Sequence, residues 1–148
     1  MAVDVQTEIE IGRPRAEVAA YAADPGNATD WYENIEAVEW RTPPPLAAGS
    51  QVAFVARFLG RRLSYTYEIT NYVPGERLVM TTASGPFAME TTYAWADTPA
   101  GGTKMTLRNT GEPAGFSKLS APLVAAAMRR ASRKDLVRLR EILESRTP

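Results

Sequence analysis

The chain contains no cysteine and no histidine. Without cysteine there is no disulfide framework, no thiolate nucleophile and no sulfur metal ligand. Without histidine the commonest general base and metal ligand is missing as well. Together these absences exclude Ser-His-Asp and Cys-His catalysis, zinc-dependent hydrolysis and histidine-ligated haem. The catalytic repertoire that remains is Tyr, Asp, Glu, Lys, Arg and Ser. Net charge is absent too, because Lys plus Arg and Asp plus Glu number 17 each among 148 residues. No global field therefore attracts nucleic acid or an anionic membrane. No window approaches the roughly 20 apolar residues that span a bilayer, and no basic leader precedes an apolar stretch. The expectation is a cytoplasmic protein without membrane insertion, without a cofactor and without a metal, its carboxylates being dispersed along the chain.

What is present is alternation. Val3 to Ile11 alternates apolar and polar residues strictly and predicts a strand. Gly12-Arg13-Pro14 breaks the pattern, and Pro14 suits the first turn of a helix over Arg15 to Ala23. Asp24-Pro25-Gly26 stops that helix, and Asn27 to Glu33 predicts a second short one capped by Asn27. A strand over Ile35 to Trp40 follows. Turn signals at Gly60-Arg61, Pro74-Gly75, Ser84-Gly85 and Pro99 to Gly102 then divide a meander of antiparallel strands. No repeat or linker interrupts residues 1–148, which read as one domain.

Side chains alternate faces along a strand, so hairpin pairing sorts the meander into two surfaces. Turning at Gly60-Arg61 pairs Phe58 with Leu63, Ala56 with Tyr65, Phe54 with Tyr67 and Val52 with Ile69. Turning at Pro74-Gly75 sets Met80 opposite Ile69 and Thr82 opposite Tyr67. The same face continues through Phe87 and Met89, then Tyr93 opposite Met105 and Thr91 opposite Leu107. The other face collects Ser64, Thr66, Glu68, Thr70, Thr92, Lys104 and Thr106, with Glu90 opposite Arg108 as an exposed ion pair. A sheet with one dry face requires a cover. The segment from Phe116 onward supplies it, with apolar residues at helical spacing through Leu119, Leu123, Ala127, Met128, Ala131, Leu136, Leu139, Ile142 and Leu143. Its first half is rich in alanine, which leaves space facing the aromatic wall.

The order strand, two short helices, six-strand meander and long terminal helix resembles the helix-grip fold of the START-like, Bet v 1-like superfamily known as SRPBCC. The local likeness is to its polyketide cyclase/dehydrase and lipid-transport branch. It is carried by Val5 to Ile11 running into Arg13-Pro14-Arg15-Ala16-Glu17-Val18, by Asp24-Pro25, Trp31 and Val38-Glu39-Trp40. Val73-Pro74-Gly75-Glu76-Arg77-Leu78 and Gly101-Gly102-Thr103-Lys104-Met105-Thr106-Leu107 extend it across the chain. The resemblance implies an α+β fold in which a strongly curved antiparallel sheet, in the order β-α-α-β6-α, wraps a long C-terminal helix. It also implies an apolar ligand grasped between sheet and helix, with chemistry that varies from none to ring cyclisation.

The predicted pocket wall comprises Phe54, Phe58, Tyr65, Tyr67, Met80, Phe87, Met89, Tyr93, Trp95, Met105 and Leu107, with Leu123 and Ala127 from the helix. Thr82, Thr91 and Asn109 add hydrogen-bonding groups, and Arg130 is a candidate for meeting an anionic ligand. Asp30, Trp31 and Tyr32 are placed at the mouth. The remaining helix charges, Arg129, Arg133, Lys134, Asp135, Arg138, Arg140 and Glu141, read as a solvated face. No residue is assigned as catalytic, because the inner face is expected to hold no Asp, Glu, Lys or His. The leading expectation is a binding protein for a hydrophobic, aromatic or lipid-like small molecule, with no nucleic-acid partner and with homodimerisation left open. A polyketide cyclase or aromatase using the pocket tyrosines is the second reading. A protein-interaction domain with a solid core is the third.

Overall fold

A computed structural model describes residues 3–85, 88–112 and 121–146. Its elements follow the expected order. Strand β1 (Val3–Ile11) leads to α1 (Arg15–Ala23), a single 3-10 turn (Pro25–Asn27) and α2 (Ala28–Trp31). Strands β2 (Ile35–Trp40), β3 (Gln51–Phe58), β4 (Arg61–Val73), β5 (Arg77–Ser84), β6 (Met89–Asp97) and β7 (Thr103–Gly111) come next, and α3 (Ala121–Glu144) closes the chain. The seven strands form one antiparallel sheet in the order β1-β7-β6-β5-β4-β3-β2. The first strand thus returns beside the last. The sheet curls into a half-barrel whose concave face receives α3, the helix-grip arrangement.

The alternation that predicted each strand is visible in burial. On β1, Val3, Val5 and Ile11 are buried while Asp4, Gln6 and Glu8 are exposed. The second helix is shorter than Asn27 to Glu33, and Asn27 does not cap it. Asp24 takes the capping role one turn earlier by accepting from the Gly26 backbone N–H (2.9 Å), while the Asn27 side-chain amide donates to the Tyr21 carbonyl (3.1 Å). Proline in the first turn makes that earlier start favourable.

Strand registers differ from expectation in a way that preserves every face. The first meander turn is Leu59-Gly60, with φ of 51° and 77°, so Phe58 pairs with Arg61, Ala56 with Leu63, Phe54 with Tyr65 and Val52 with Tyr67. Two consecutive left-handed residues are what a two-residue hairpin turn needs, and Gly60 supplies one without strain. Between β5 and β6 Met80 faces Thr91, and between β6 and β7 Tyr93 faces Leu107 and Thr91 faces Asn109. In these three pairs of strands each expected pairing is displaced by two residues, and an even displacement leaves inside and outside unchanged. A bulge at Thr70 restores Ile69 opposite Met80 and Tyr67 opposite Thr82. The expected Glu90 to Arg108 pair does not form. Arg108 sits across from Thr92 and instead makes a two-pronged bond to Asp4 on β1 (2.9 and 2.7 Å).

The helix is rotated relative to expectation. Val124, Met128, Ser132, Asp135, Leu136, Leu139 and Leu143 turn inward, whereas Leu123 is 60% exposed and Arg130 lies at the surface. The expected row Leu123, Ala127, Ala131 advances by four residues at a time, and each such step winds about 40° further around a 3.6-residue helix. Over two steps it passes from the solvent side to the edge of the buried face.

Candidate functional site

Sheet and helix enclose a cavity of ≈ 150 Å³. Its floor and walls come from β3 to β7 through Phe54, Phe58, Leu63, Tyr65, Tyr67, Met80, Met89, Thr91, Tyr93 and Asn109. Val124, Met128, Ala131, Ser132 and Asp135 of α3 form the roof, and Tyr32, Asn34, Ile35 and Leu46 close the remaining side. Ala131 and Ser132 are the small residues of this roof, while Val124 and Met128 share a cluster with Phe58, Leu63 and Tyr65 at its edge.

Of the expected wall residues, Phe54, Phe58, Tyr65, Tyr67, Met80, Met89, Thr91, Tyr93 and Asn109 are brought together around this space. Trp95, Met105 and Leu107 face the same side of the sheet but lie in solid core, in one buried cluster with Leu136, Leu139 and Leu143. The leucine half of the helix fills the space they would otherwise line. Thr82 is spent on the sheet itself. Its hydroxyl accepts from the Met89 N–H (2.9 Å) and donates to the Met89 carbonyl (3.0 Å), extending the β5–β6 ladder by one step. Leu123, Ala127 and Arg130 fall outside the cavity because of the helix rotation, and Arg130 cannot meet a ligand held there. Phe87 lies outside the described residues. At the expected mouth, Trp31 is wholly buried beneath Tyr32 (ring centroids 4.2 Å apart), and only Tyr32 reaches the cavity.

The rings form a connected set. Phe54 stacks on Tyr65 at 5.6 Å and meets Tyr67 edge-on at 5.8 Å, while Tyr65 and Tyr67 meet edge-on at 5.1 Å. Offset and edge-on contacts of this kind suit the ring quadrupoles and fix the wall's shape. Gly85 makes the approach beside Tyr65 possible, because a Cβ there would stand 2.8 Å from the Tyr65 Cβ.

Polar groups in the cavity are organised in two strings. In the first, Thr91 donates to Asn109 Oδ1 (2.7 Å), so its oxygen accepts from the Tyr67 hydroxyl (2.8 Å). The Asn109 amide then reaches Ser132 Oγ on α3 at 3.5 Å. In the second, the Tyr32 and Tyr93 hydroxyls lie 2.6 Å apart. One donates to the other, which leaves a single hydroxyl hydrogen of the pair for something else. Burial pushes the Tyr67 hydroxyl up to about 12 and drives Tyr32, Tyr65 and Tyr93 higher still. These phenols are donors and acceptors, not bases. No arginine is among the groups that shift them.

Asp135 is the residue that the sequence reading missed. It is 3% exposed, lines the cavity, and accepts the Glu33 backbone N–H at Oδ1 (3.0 Å). Burial raises its pKa to about 7, and the Glu33 N–H and Lys134 only partly oppose that. The inner face therefore does hold a carboxyl. Its signal was its position: Val124, Met128, Ser132, Asp135 and Leu139 share one face at spacings of three and four, so Ser132 and Asp135 are polar residues set in the buried stripe. Asp30 and Glu33 do not reach inside. Arg138 Nε donates to the Asp30 carbonyl (2.8 Å), and Glu33 faces Lys134 at 3.9 Å on the surface. Among the described residues no cluster of three carboxylates could hold a metal ion.

The profile of one family, described as polyketide cyclase/dehydrase and lipid transport, matches residues 2–144. The chain belongs to that family. Solved structures share its fold across almost the whole length. A protein from Thermus thermophilus is 23% identical with a TM-score of 0.81, covering 97% of this chain and 99% of its own. A START superfamily protein from Mycobacterium smegmatis is 13% identical with a TM-score of 0.82, covering 97% and 99%. The ZhuI aromatase/cyclase from a Streptomyces species is 18% identical with a TM-score of 0.77, covering 97% and 94%. At these identities the likeness is one of fold. No curated protein sequence matches the chain. Members of this polyketide cyclase/dehydrase family share a fold suited to hydrophobic ligands, and among the described residues no helix is long and apolar enough to cross a membrane.

Proposed function

We propose that this family member binds a small, ring-bearing and largely apolar molecule between the sheet and α3. The observation that carries the reading is the cavity itself, ≈ 150 Å³ behind a wall of Phe54, Tyr65, Tyr67 and Met80. Apolar cavities of about this size stay dry and accept a ligand the size of benzene. Larger ligand sites commonly run from about 300 Å³ upward, so a long lipid or a multi-ring polyketide would need the walls to part. A cavity also favours the ligand reading over an interaction domain, whose premise was a solid core. Native mass spectrometry of gently purified protein tests the proposal, supported by titration with one-ring probes such as toluene. Uptake that Ala131→Trp abolishes is the expected result, because Ala131 borders the cavity at its roof. Unchanged uptake in that variant places the ligand elsewhere and overturns the reading.

One observation favours enzymatic ring closure as a second reading. Asp135 stands close enough to Tyr32 and Tyr93 to influence both hydroxyls electrostatically. As a carboxylate it could take a proton from a carbon between two carbonyls, while the spare hydroxyl hydrogen of the tyrosine pair stabilises the enolate oxygen. Loss of turnover of a short β-keto mimic in Asp135→Asn, with binding retained, is the outcome this reading expects. Equal turnover in native protein and variant removes it.

A further inference from the structure

The cavity wall is largely apolar, its polar groups are neutral hydroxyls and amides for the most part, and one ionisable side chain is buried among them. Among the described residues, Asp135 is the one Asp, Glu, Lys or Arg that is buried. Its Oδ1 is occupied by the Glu33 N–H, while its second oxygen has no hydrogen-bond partner among the described residues. Among the described residues no basic side chain is buried in the interior. Arg57 borders the cavity from outside, with its guanidinium exposed and donating to Glu36 at 2.6 Å. Lys134 is exposed and turned to Glu33 at 3.9 Å.

Asp135 lies between the cavity and a surface groove beside Lys134 and Arg138, and a carboxyl so largely removed from water has two ways to avoid an uncompensated charge. It binds a proton, or it binds a cation. Burial has already raised Asp135 to about 7, so near neutral pH both routes are accessible. The groups around it are Glu33, Lys134 and Arg138 at the surface, the last donating to the Asp30 carbonyl, and the Tyr32 and Tyr93 hydroxyls inside, and none of these supplies a buried positive charge. Tyr32 and Tyr93 line the same space, and aromatic rings attract ammonium groups. An anionic ligand would meet the carboxylate with no compensating cation. The volume restricts the apolar part to about one ring.

Building on the binding reading above, we propose that the cavity selects a small aromatic amine in its protonated form. The ring lies against Phe54, Tyr65 and Tyr67, and the ammonium donates to the open oxygen of Asp135.

Four one-ring probes test this by calorimetry above pH 7, where Asp135 is mostly ionised: benzylamine, benzyl alcohol, toluene and benzoate. Benzylamine is expected to bind on the order of tenfold tighter than the alcohol or toluene, and benzoate is expected not to bind. In Asp135→Asn, which keeps an acceptor for the Glu33 N–H, the advantage of the amine over the alcohol and toluene disappears. A second readout uses the native protein alone. Near pH 7, benzylamine should expel a proton from Asp135, seen as a binding heat that changes with the ionisation heat of the buffer, whereas toluene should not. Equal affinity for benzylamine and benzyl alcohol, or an amine preference that survives Asp135→Asn, overturns amine selection and leaves the cavity reading standing. Failure of all four probes overturns both.

Discussion

The two halves of the helix meet the same sheet face with opposite results. Toward the C-terminus, Leu136, Leu139 and Leu143 are fully buried and share a cluster with Ile11, Trp95, Met105 and Leu107. Toward the N-terminus, Val124, Met128, Ala131 and Ser132 face Phe54, Tyr65, Tyr67 and Met80 across open space. Both stretches of sheet are aromatic and apolar. What separates a core from a pocket here is the length of the side chains coming down from the helix. The one buried carboxyl, Asp135, stands at the boundary, immediately before Leu136.

Truncation should separate the halves most strongly. Leu139→Ala removes a side chain packed on all sides and is expected to cost about 2–5 kcal/mol, because a new cavity opens where none existed. Met128→Ala borders space that is already present and should cost less than half as much. Urea denaturation of the two variants gives the comparison directly. Equal losses would mean that the open half is as tightly packed as the closed one.

Asp135 makes a second separation, in pH. Its folded pKa of about 7 lies above the ordinary 3.8, so between those values the native state holds more protons than the unfolded chain. By linkage, stability falls as pH rises through that window. The contribution is fully present below 3.8 and is lost above about 7, with a ceiling on the order of 4 kcal/mol. Asp135→Asn should flatten this part of the profile and be more stable than the native protein at pH 8. Leucine positions can produce no such slope. An unchanged profile would show that Asp135 remains well solvated in the native state.

A smaller effect is expected within the tyrosine string. Tyr67→Phe deletes the hydroxyl that donates to Thr91 at 2.8 Å but leaves the Thr91 to Asn109 bond in place. A loss of about 1 kcal/mol is expected, the usual net worth of one buried hydrogen bond. A loss several times larger in chemical denaturation would mean that the whole string collapses with it.

Much of this architecture was legible from alternation alone. Strand faces survived errors in register, because period two is insensitive to displacements of two. That is why Phe54, Tyr65, Tyr67 and Tyr93 were placed inward even though Phe54 pairs with Tyr65 and not with Tyr67. Helix faces have no such protection. A period of 3.6 punishes small errors, so Leu123 and Arg130 were placed inside and Asp135 outside. Asp135 was further masked by its neighbours Arg133, Lys134 and Arg138, which are exposed and read as one solvated stripe. Nor does a strand pattern reveal which part of its dry face will be filled. Trp95 and Tyr93 lie on the same side of one strand, and only the helix opposite decides that one is core and the other wall.

The smallest expected effect tests that helix phase. Ala127 and Ala131 are one turn apart, identical in type, and both read as roof residues in a simple four-residue row. In the structure only Ala131 borders the main cavity, while Ala127 faces the shallow groove beside Phe58 and Leu59. Ala127→Trp should therefore change toluene affinity by no more than about twofold, the range of a surface substitution, whereas Ala131→Trp fills the roof. If Ala127→Trp blocks binding as well, then the ligand either enters across that groove or turns the helix as it binds. The boundary between packed and open halves would then belong to one state of the helix and not to the fold.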